Sequence, residues 1–413
     1  MATEASDAAS TQQPSLLRAL AFRDFRLVWA AQVLSELGDW AARVALAVLV
    51  YERTGSKVAA ATVTAAGLLP WLGLGQALAS LGDRFPRRRV MVVADVVRAA
   101  AFFTMTSVRP AWALLTLAFV AASATPAFEA ARAAAIPEAV SEEGYGDALT
   151  ISNLTYQAVL VLGYLFGGGL VAALGAKSAL TVNASSFALS AVLLAFMRSG
   201  RTAAGAGAGM GASIRAAARS IFQDPYLRRA AAIATICSSC AIAGEALVVV
   251  YVGENMPQAG PGAVGILAAA IPAGTILASF LVRRRGEHSD LLRTSALVVI
   301  AGSIGAIFWF FISPPNYWAA AGYVSLGITF SLAIPAYAVV GTRLPEQSRA
   351  TAFGLLQGLL LGGQALGAIV GGLLATVVGA GPAGALLLFP AVGYALFAFF
   401  VPPGGRLALR WPQ

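Results

Sequence analysis

The chain has 413 residues, of which 58% are apolar and 11% charged, and its mean hydropathy is +0.76. A balance this apolar excludes a soluble fold around one core. The net charge of +9 is scattered over many short segments, which argues against a nucleic-acid-binding domain. A single histidine, His288, leaves no ligand set for a histidine-based metal centre and no catalytic triad.

Long runs with little or no charge recur along the chain. A helix crossing the hydrocarbon of a bilayer needs about 20 apolar residues, and backbone in lipid must satisfy its own hydrogen bonds. The runs are continuous, not alternating, which predicts helices over barrel strands. The expected fold is therefore an all-α polytopic membrane protein. Twelve spans are expected, near 25–50, 57–80, 89–108, 110–132, 148–174, 178–198, 227–253, 261–282, 292–312, 316–341, 350–378 and 382–402.

The opening segment, 1–24, is polar and then basic, with no apolar leader before Leu27, so it reads as a tail and not a cleaved signal. The first span carries Gln32, Glu36, Asp39 and Arg43. Steps of four, three and four place them on one helical face, and a rise of about 1.5 Å per residue puts the two acids about 14–18 Å deep. Ionised groups there cost roughly 2.5–3.5 kcal/mol, so they face an interior and carry function. Arg43 neutralises one acid and leaves the other free to load a proton; a purely structural Asp39–Arg43 pair is the competing reading.

After the polar pause "RTGSK", the second span ends in "LGDRFPRRR", with Asp83, Arg84, Arg87, Arg88 and Arg89. Asp95 and Arg98 are spaced i,i+3 on the third span, as are Glu129 and Arg132 at the end of the fourth. Asn153, Tyr156 and Gln157 on the fifth span, with Gln357 on the eleventh, are candidates for a polar lining of a central cavity; packing and interhelical hydrogen bonds explain them equally well. A Gly/Ala-rich linker, 199–226, divides an amino-terminal bundle (25–198) from a carboxyl-terminal one (227–402), and 403–413 is a second tail. Cys237 and Cys240 form a CxxC inside an apolar run, without the βαβ setting of a redox motif. Glu245, on the same span, is a second protonatable group or a contact for a cationic substrate, with a local hydrogen-bonding role as the equal alternative.

With both termini cytoplasmic, 22 of the 28 Lys and Arg fall in inside segments, as the positive-inside rule requires. The two halves also echo one another. At an offset of 200, Gln157, Gly163 and Gly167 meet Gln357, Gly363 and Gly367, and "LPWLGLGQALASLGDRFPRRR" is answered by "IPAGTILASFLVRRR". Six-helix halves related by an axis along the membrane normal match a transporter architecture that binds substrate near the midplane, between the halves.

These residues carry a likeness. "FRDFRLVWAAQVLSELGDW", "LGDRFPRRR", "AARAAAIPEAV" and "GGGLVAALGAKSALTVNASSFALSA" resemble a major facilitator superfamily exporter, in the branch of enterobactin exporters and macrolide-efflux pumps. Ala79, Gly82 and Pro86 depart from that superfamily's loop signature, and Tyr164 stands where its antiporters carry proline.

The resemblance implies two pseudo-symmetric six-helix bundles rocking about a central site, in a bacterial plasma membrane. It further implies a cytoplasmic latch among Asp83, Arg84, Arg87, Arg88, Asp95, Arg98, Glu129 and Arg132. For the arginines of the loop, topology and headgroup binding is an equal reading.

The expected function is export of amphipathic small molecules, coupled to protons through Glu36, Asp39, Arg43 and Glu245, with Gln32 added to the cavity lining. A symporter or facilitator of the same fold, or an uncoupled scaffold or lipid-flipping protein, are the alternatives. No nucleotide fingerprint is present, so neither an enzymatic activity nor a cofactor is expected. The expected partners are a small-molecule substrate, protons and the bilayer, with the chain a monomer.

Overall fold

A computed structural model describes residues 16–72, 75, 85–141, 144–198, 218–285, 291–330 and 346–400. Among these the regular structure is helical. In the amino-terminal half, α1 is Arg23–Thr54, α2 Lys57–Leu68, α3 Arg87–Met105, α4 Ala111–Ala139, α5 Tyr145–Leu174 and α6 Ala176–Ala195. In the carboxyl-terminal half, α7 is Pro225–Ala246, α8 Val248–Asn255, α9 Gly260–Arg285, α10 Leu291–Ile312, α11 Ala319–Phe330, α12 Glu346–Val378, α13 Ala380–Leu386 and α14 Phe389–Phe400.

Seven of the described helical spans are long and apolar enough to cross a membrane, or eight if α7 and α8, bent by 41°, are one span. The charges on α1 and α3 hold those two below that mark, as is usual for helices whose polar face turns to a protein interior. Most of what completes the second and tenth spans, after α2 and α11, lies outside the described residues. The set is consistent with the twelve expected.

Local chemistry explains the boundaries. The "RTGSK" pause is a tight turn in which Ser56 caps α2 by accepting from the Ala59 N–H at 3.2 Å. Asp224 caps α7, accepting from Tyr226 N–H at 2.7 Å, with Pro225 in the first turn. Three spans differ from expectation. The fourth continues to Ala139, through Pro126 and Pro137. The seventh breaks at Leu247. The twelfth is interrupted between Leu386 and Phe389, where Pro390 supplies no N–H for a continuing helix.

The packing repeats as the sequence does. In the amino half α1 packs on α5 and α6, and α3 on α4 and α6. In the carboxyl half α7 packs on α12 and α14, and α10 on α11 and α14. The halves meet along α5 against α9 and α2 against α12, which are mates under the same exchange. The offset of 200 has a physical meaning here. A Cβ at Gly167 would lie 2.6 Å from the Cα of Ala41 on α1, and one at Gly367 would run into the carbonyl oxygen of Ser239 on α7. Each glycine lets two backbones touch.

Candidate functional site

The polar face of α1 divides into two clusters. Its first part turns toward α4 and α5. Gln32, 1% exposed, donates to Glu36 Oε1 at 3.0 Å and accepts from Arg132 Nη1 at 2.8 Å. Arg132 in turn grips Glu129 Oε2 through Nε at 3.2 Å and Nη2 at 2.5 Å. The guanidinium thus pairs with Glu129 alone, and Gln32 bridges it to the second carboxylate, Glu36. Glu36 Oε2 is buried with no hydrogen-bond partner, an arrangement that is costly for a full negative charge.

The second part, Asp39 and Arg43, lines a cavity of about 90 Å³ bordered by α1, α2, α3 and α4, with Thr64, Trp71, Phe102 and Thr125 on its other walls. That is room for several waters. Asp39 makes no hydrogen bond and no ion pair among the described residues. Arg43 does not pair with it; its guanidinium carbon lies 4.3 Å from the ring centre of Trp40. Trp40 in turn packs against Tyr164, with ring centres 5.1 Å apart. The Tyr164 hydroxyl donates across the interface of the halves to Glu245 Oε1 at 2.5 Å. Trp40, Tyr164 and Glu245 therefore form a junction between α1, α5 and α7.

Tyr156 is 42% exposed, yet it lies within electrostatic range of Glu36, Arg43, Glu129 and Glu245. The space it meets is thus a crevice between the halves. Asn153 and Gln157 beside it are also exposed, while Gln357 is half-buried on α12.

The residues expected to form a latch are dispersed. Arg87 Nη1 pairs with Glu138 at 2.6 Å and Arg88 Nη1 donates to Met197 O at 3.0 Å, so both tie the start of α3 to its own half. Asp95 and Arg98 are 0% and 3% exposed and lie in the interior of the amino half. Arg98 Nη2 meets Asp95 Oδ1 at 2.5 Å, and Ser190 donates to the other carboxylate oxygen at 2.5 Å. The guanidinium is sandwiched between Phe128 and Phe187, 4.3 and 4.5 Å from their ring centres. Glu129 and Arg132 join the α1 cluster. Asp83 and Arg84 lie outside the described residues. Cys237 and Cys240 are buried free thiols in the core of the carboxyl half.

Sequence reasoning missed Trp40, Tyr164 and the pair Lys57 and Glu254. Lys57, at the start of α2, pairs with Glu254 of α8 in the other half and donates to Ala375 O at 3.0 Å. Glu254 also accepts from the Ala380 N–H at 2.7 Å, at the start of α13. A signal for Trp40 was present, since it stands between Asp39 and Arg43; nothing local marks Glu254 as the partner of Lys57.

Two pseudo-symmetric helical bundles with a charged crevice between them define a major facilitator transporter. The crystal structure of the nucleoside transporter NupG superposes with a TM-score of 0.70 over 91% of this chain and 98% of its own, at 13% identity. The chain belongs to the transmembrane secretion effector family of that superfamily, whose model matches residues 15–408.

Among related proteins, the MFS-type transporter YfiS of Bacillus subtilis is 27% identical over 362 residues, 85% of this chain and 86% of its own. The multidrug efflux pump Tap of Mycolicibacterium fortuitum is 26% identical over 398 residues, 91% of this chain and 95% of its own. Macrolide efflux protein A of Streptococcus pyogenes is 30% identical over 152 residues, 34% of this chain and 38% of its own.

Proposed function

We propose that this transporter exports amphipathic small molecules by proton-coupled antiport, the two halves rocking about the crevice between α1, α4, α5 and α7. The observation that carries the coupling is the Glu36–Gln32–Arg132–Glu129 cluster. With both acids ionised it holds a net charge of −1 in a low-dielectric setting, and one proton makes it neutral. Removing a proton from such a cluster exposes a charge that water or a substrate must compensate, so proton occupancy and conformation are linked. The similarity to pumps named for multidrug and macrolide efflux supports an amphipathic cargo. The crevice wall, with Tyr156 and a few polar groups, suits ligands held mainly by apolar contact. On this reading the end of the bundle bearing Arg87 and Arg132 faces the cytoplasm.

A proton-motive force of about 180 mV supplies about 4 kcal/mol per proton, scaling from 2.3 kcal/mol per 100 mV. At one proton per substrate that sustains roughly thousandfold accumulation.

The test is transport in proteoliposomes under an imposed pH gradient, with a panel of fluorescent amphipathic compounds. Wild type is expected to move at least one of them only when the gradient is present. The double variant Glu36→Gln, Asp39→Asn is expected to lose gradient-driven transport while still inserting. Gradient-driven transport that survives the double neutralisation would overturn the coupling assignment.

A further inference from the structure

The junction around Trp40 goes further than the transport reading, on which this inference rests. Arg43 places its guanidinium on the face of an aromatic ring and leaves Asp39 without a partner among the described residues, although Asp39 lies one turn earlier on the same helix and lines the same cavity. An acid four residues before a base is the favourable order for a helical ion pair. An ionised Asp39 this close to a cation on its own helix would draw Arg43 to itself.

The other charged groups facing Asp39 do not take its place. Arg98 on α3 is committed to Asp95. Glu129 on α4 and Glu36 on α1 are themselves acids. From α2 the cavity receives no charge, only Val63, Thr64 and Gly67 with the adjoining Trp71, and α6 presents the neutral Asn183 and Ser186 one residue away, at Gly38. A neutral Asp39 with Arg43 parked on Trp40 would account for this geometry.

We propose that Arg43 is an internal placeholder for the cationic group of the substrate. An amphipathic organic cation entering the crevice takes the face of Trp40, with Tyr164 beside it and Glu245 as counter-charge. Arg43 then swings one turn to Asp39, and Asp39 gives up its proton. The O–H bond of the Asp39 carboxyl breaks, the electron pair stays on its oxygen, and the proton passes to water in the adjoining cavity. One cation enters and one proton leaves, while the charge on Arg43 is unchanged. When a proton returns to Asp39, Arg43 is freed to reclaim the ring and displace the cation. The exchange of one cation for another on the same aromatic face is what makes loading of substrate and proton mutually exclusive. Tyr164 holds Glu245 in place through its hydroxyl until a substrate cation competes for that carboxylate.

The experiment uses the full chain, purified in nanodiscs, with tetraphenylphosphonium as probe. Binding is followed by equilibrium dialysis, and proton release by an indicator dye in weak buffer at pH 7. Wild type is expected to release about one proton per probe bound. Trp40→Ala is expected to bind roughly tenfold more weakly, the loss of one good cation–π contact. Asp39→Asn is expected to bind with altered affinity and release no proton. Arg43→Gln asks the same question where Asp39→Asn does not fold, and is expected to bind without proton release.

Failure of wild type to bind the probe overturns the proposal, as does undiminished proton release in Asp39→Asn or Arg43→Gln. Release that disappears in Glu36→Gln but persists in Asp39→Asn removes the Arg43 switch and leaves antiport standing. Binding-linked release through Asp39, in a protein that shows no gradient-driven transport, removes antiport and leaves the switch.

Discussion

Arg98 is almost fully buried in a bundle with few charges, and it persists because every face of it is met. Asp95 takes one edge and two phenyl rings take the faces. Removing one partner of such a buried pair strands the other and costs about 3–5 kcal/mol. Arg98→Ala is expected to lower the thermal midpoint of the detergent-solubilised protein sharply, and Asp95→Asn with Arg98→Gln to lower it less than the sum of the single changes. An unchanged midpoint in Arg98→Ala would show that the sandwich does not support the fold. The i,i+3 spacing of Asp95 and Arg98 is legible in the chain. That the pair belongs to the interior of one half, and not to a latch between halves, is not legible, because Ser190, Phe128 and Phe187 arrive from other helices.

At the scale of the element, α1 shows both the strength and the limit of periodicity. Its four polar residues do share a face, as their spacing predicts. The side chains nonetheless reach different surroundings. Gln32 and Glu36 meet α4 and α5, whereas Asp39 and Arg43 lie over the cavity bordered by α2, α3 and α4. A helical wheel carries angle but not what each depth of the helix is packed against.

The glycines of α5 offer a clean test. A methyl at Gly167 meets the backbone of α1, while Gly169 has open space around its Cα. Gly167→Ala is expected to cost about 1–3 kcal/mol by overpacking, seen as a lower thermal midpoint and reduced monodisperse yield. Gly169→Ala is expected to behave as wild type. Equal behaviour of the two would deny the close approach of α1 and α5.

At the scale of the whole molecule, the described residues bond the two halves to each other at two depths, through Tyr164 and Glu245 within the bundle and through Lys57, Glu254 and the junction of α12 with α13 at one end. A partly exposed ion pair such as Lys57–Glu254 is worth about 0.2–1 kcal/mol. That is weak enough to break in each cycle and strong enough to bias a two-state equilibrium. Lys57→Gln with Glu254→Gln is expected to separate this end of the halves, and the exchanged pair Lys57→Glu with Glu254→Lys to restore it. Distance distributions between spin labels at Lys177 and Gln258, in a background without the two native cysteines, report the change. Distributions that do not respond to either variant would sink the role given to this contact.

Sequence alone was enough for the membrane class, the paired halves and the family likeness, because lipid imposes long apolar helices and a duplicated chain repeats its glycine contacts at a constant offset. It was also enough to single out Glu36, Asp39 and Glu245 as acids out of place in an apolar helix. Only the tertiary structure decided their partners. Glu36 is held by Gln32, which Arg132 joins to Glu129, Arg43 rests on Trp40 in preference to Asp39, and Glu245 is held from the opposite half by Tyr164. The physical reason is one of range: burial and helical period are set by neighbours along the chain, whereas a charge chooses its partner from whatever distant helices packing brings within a few ångströms.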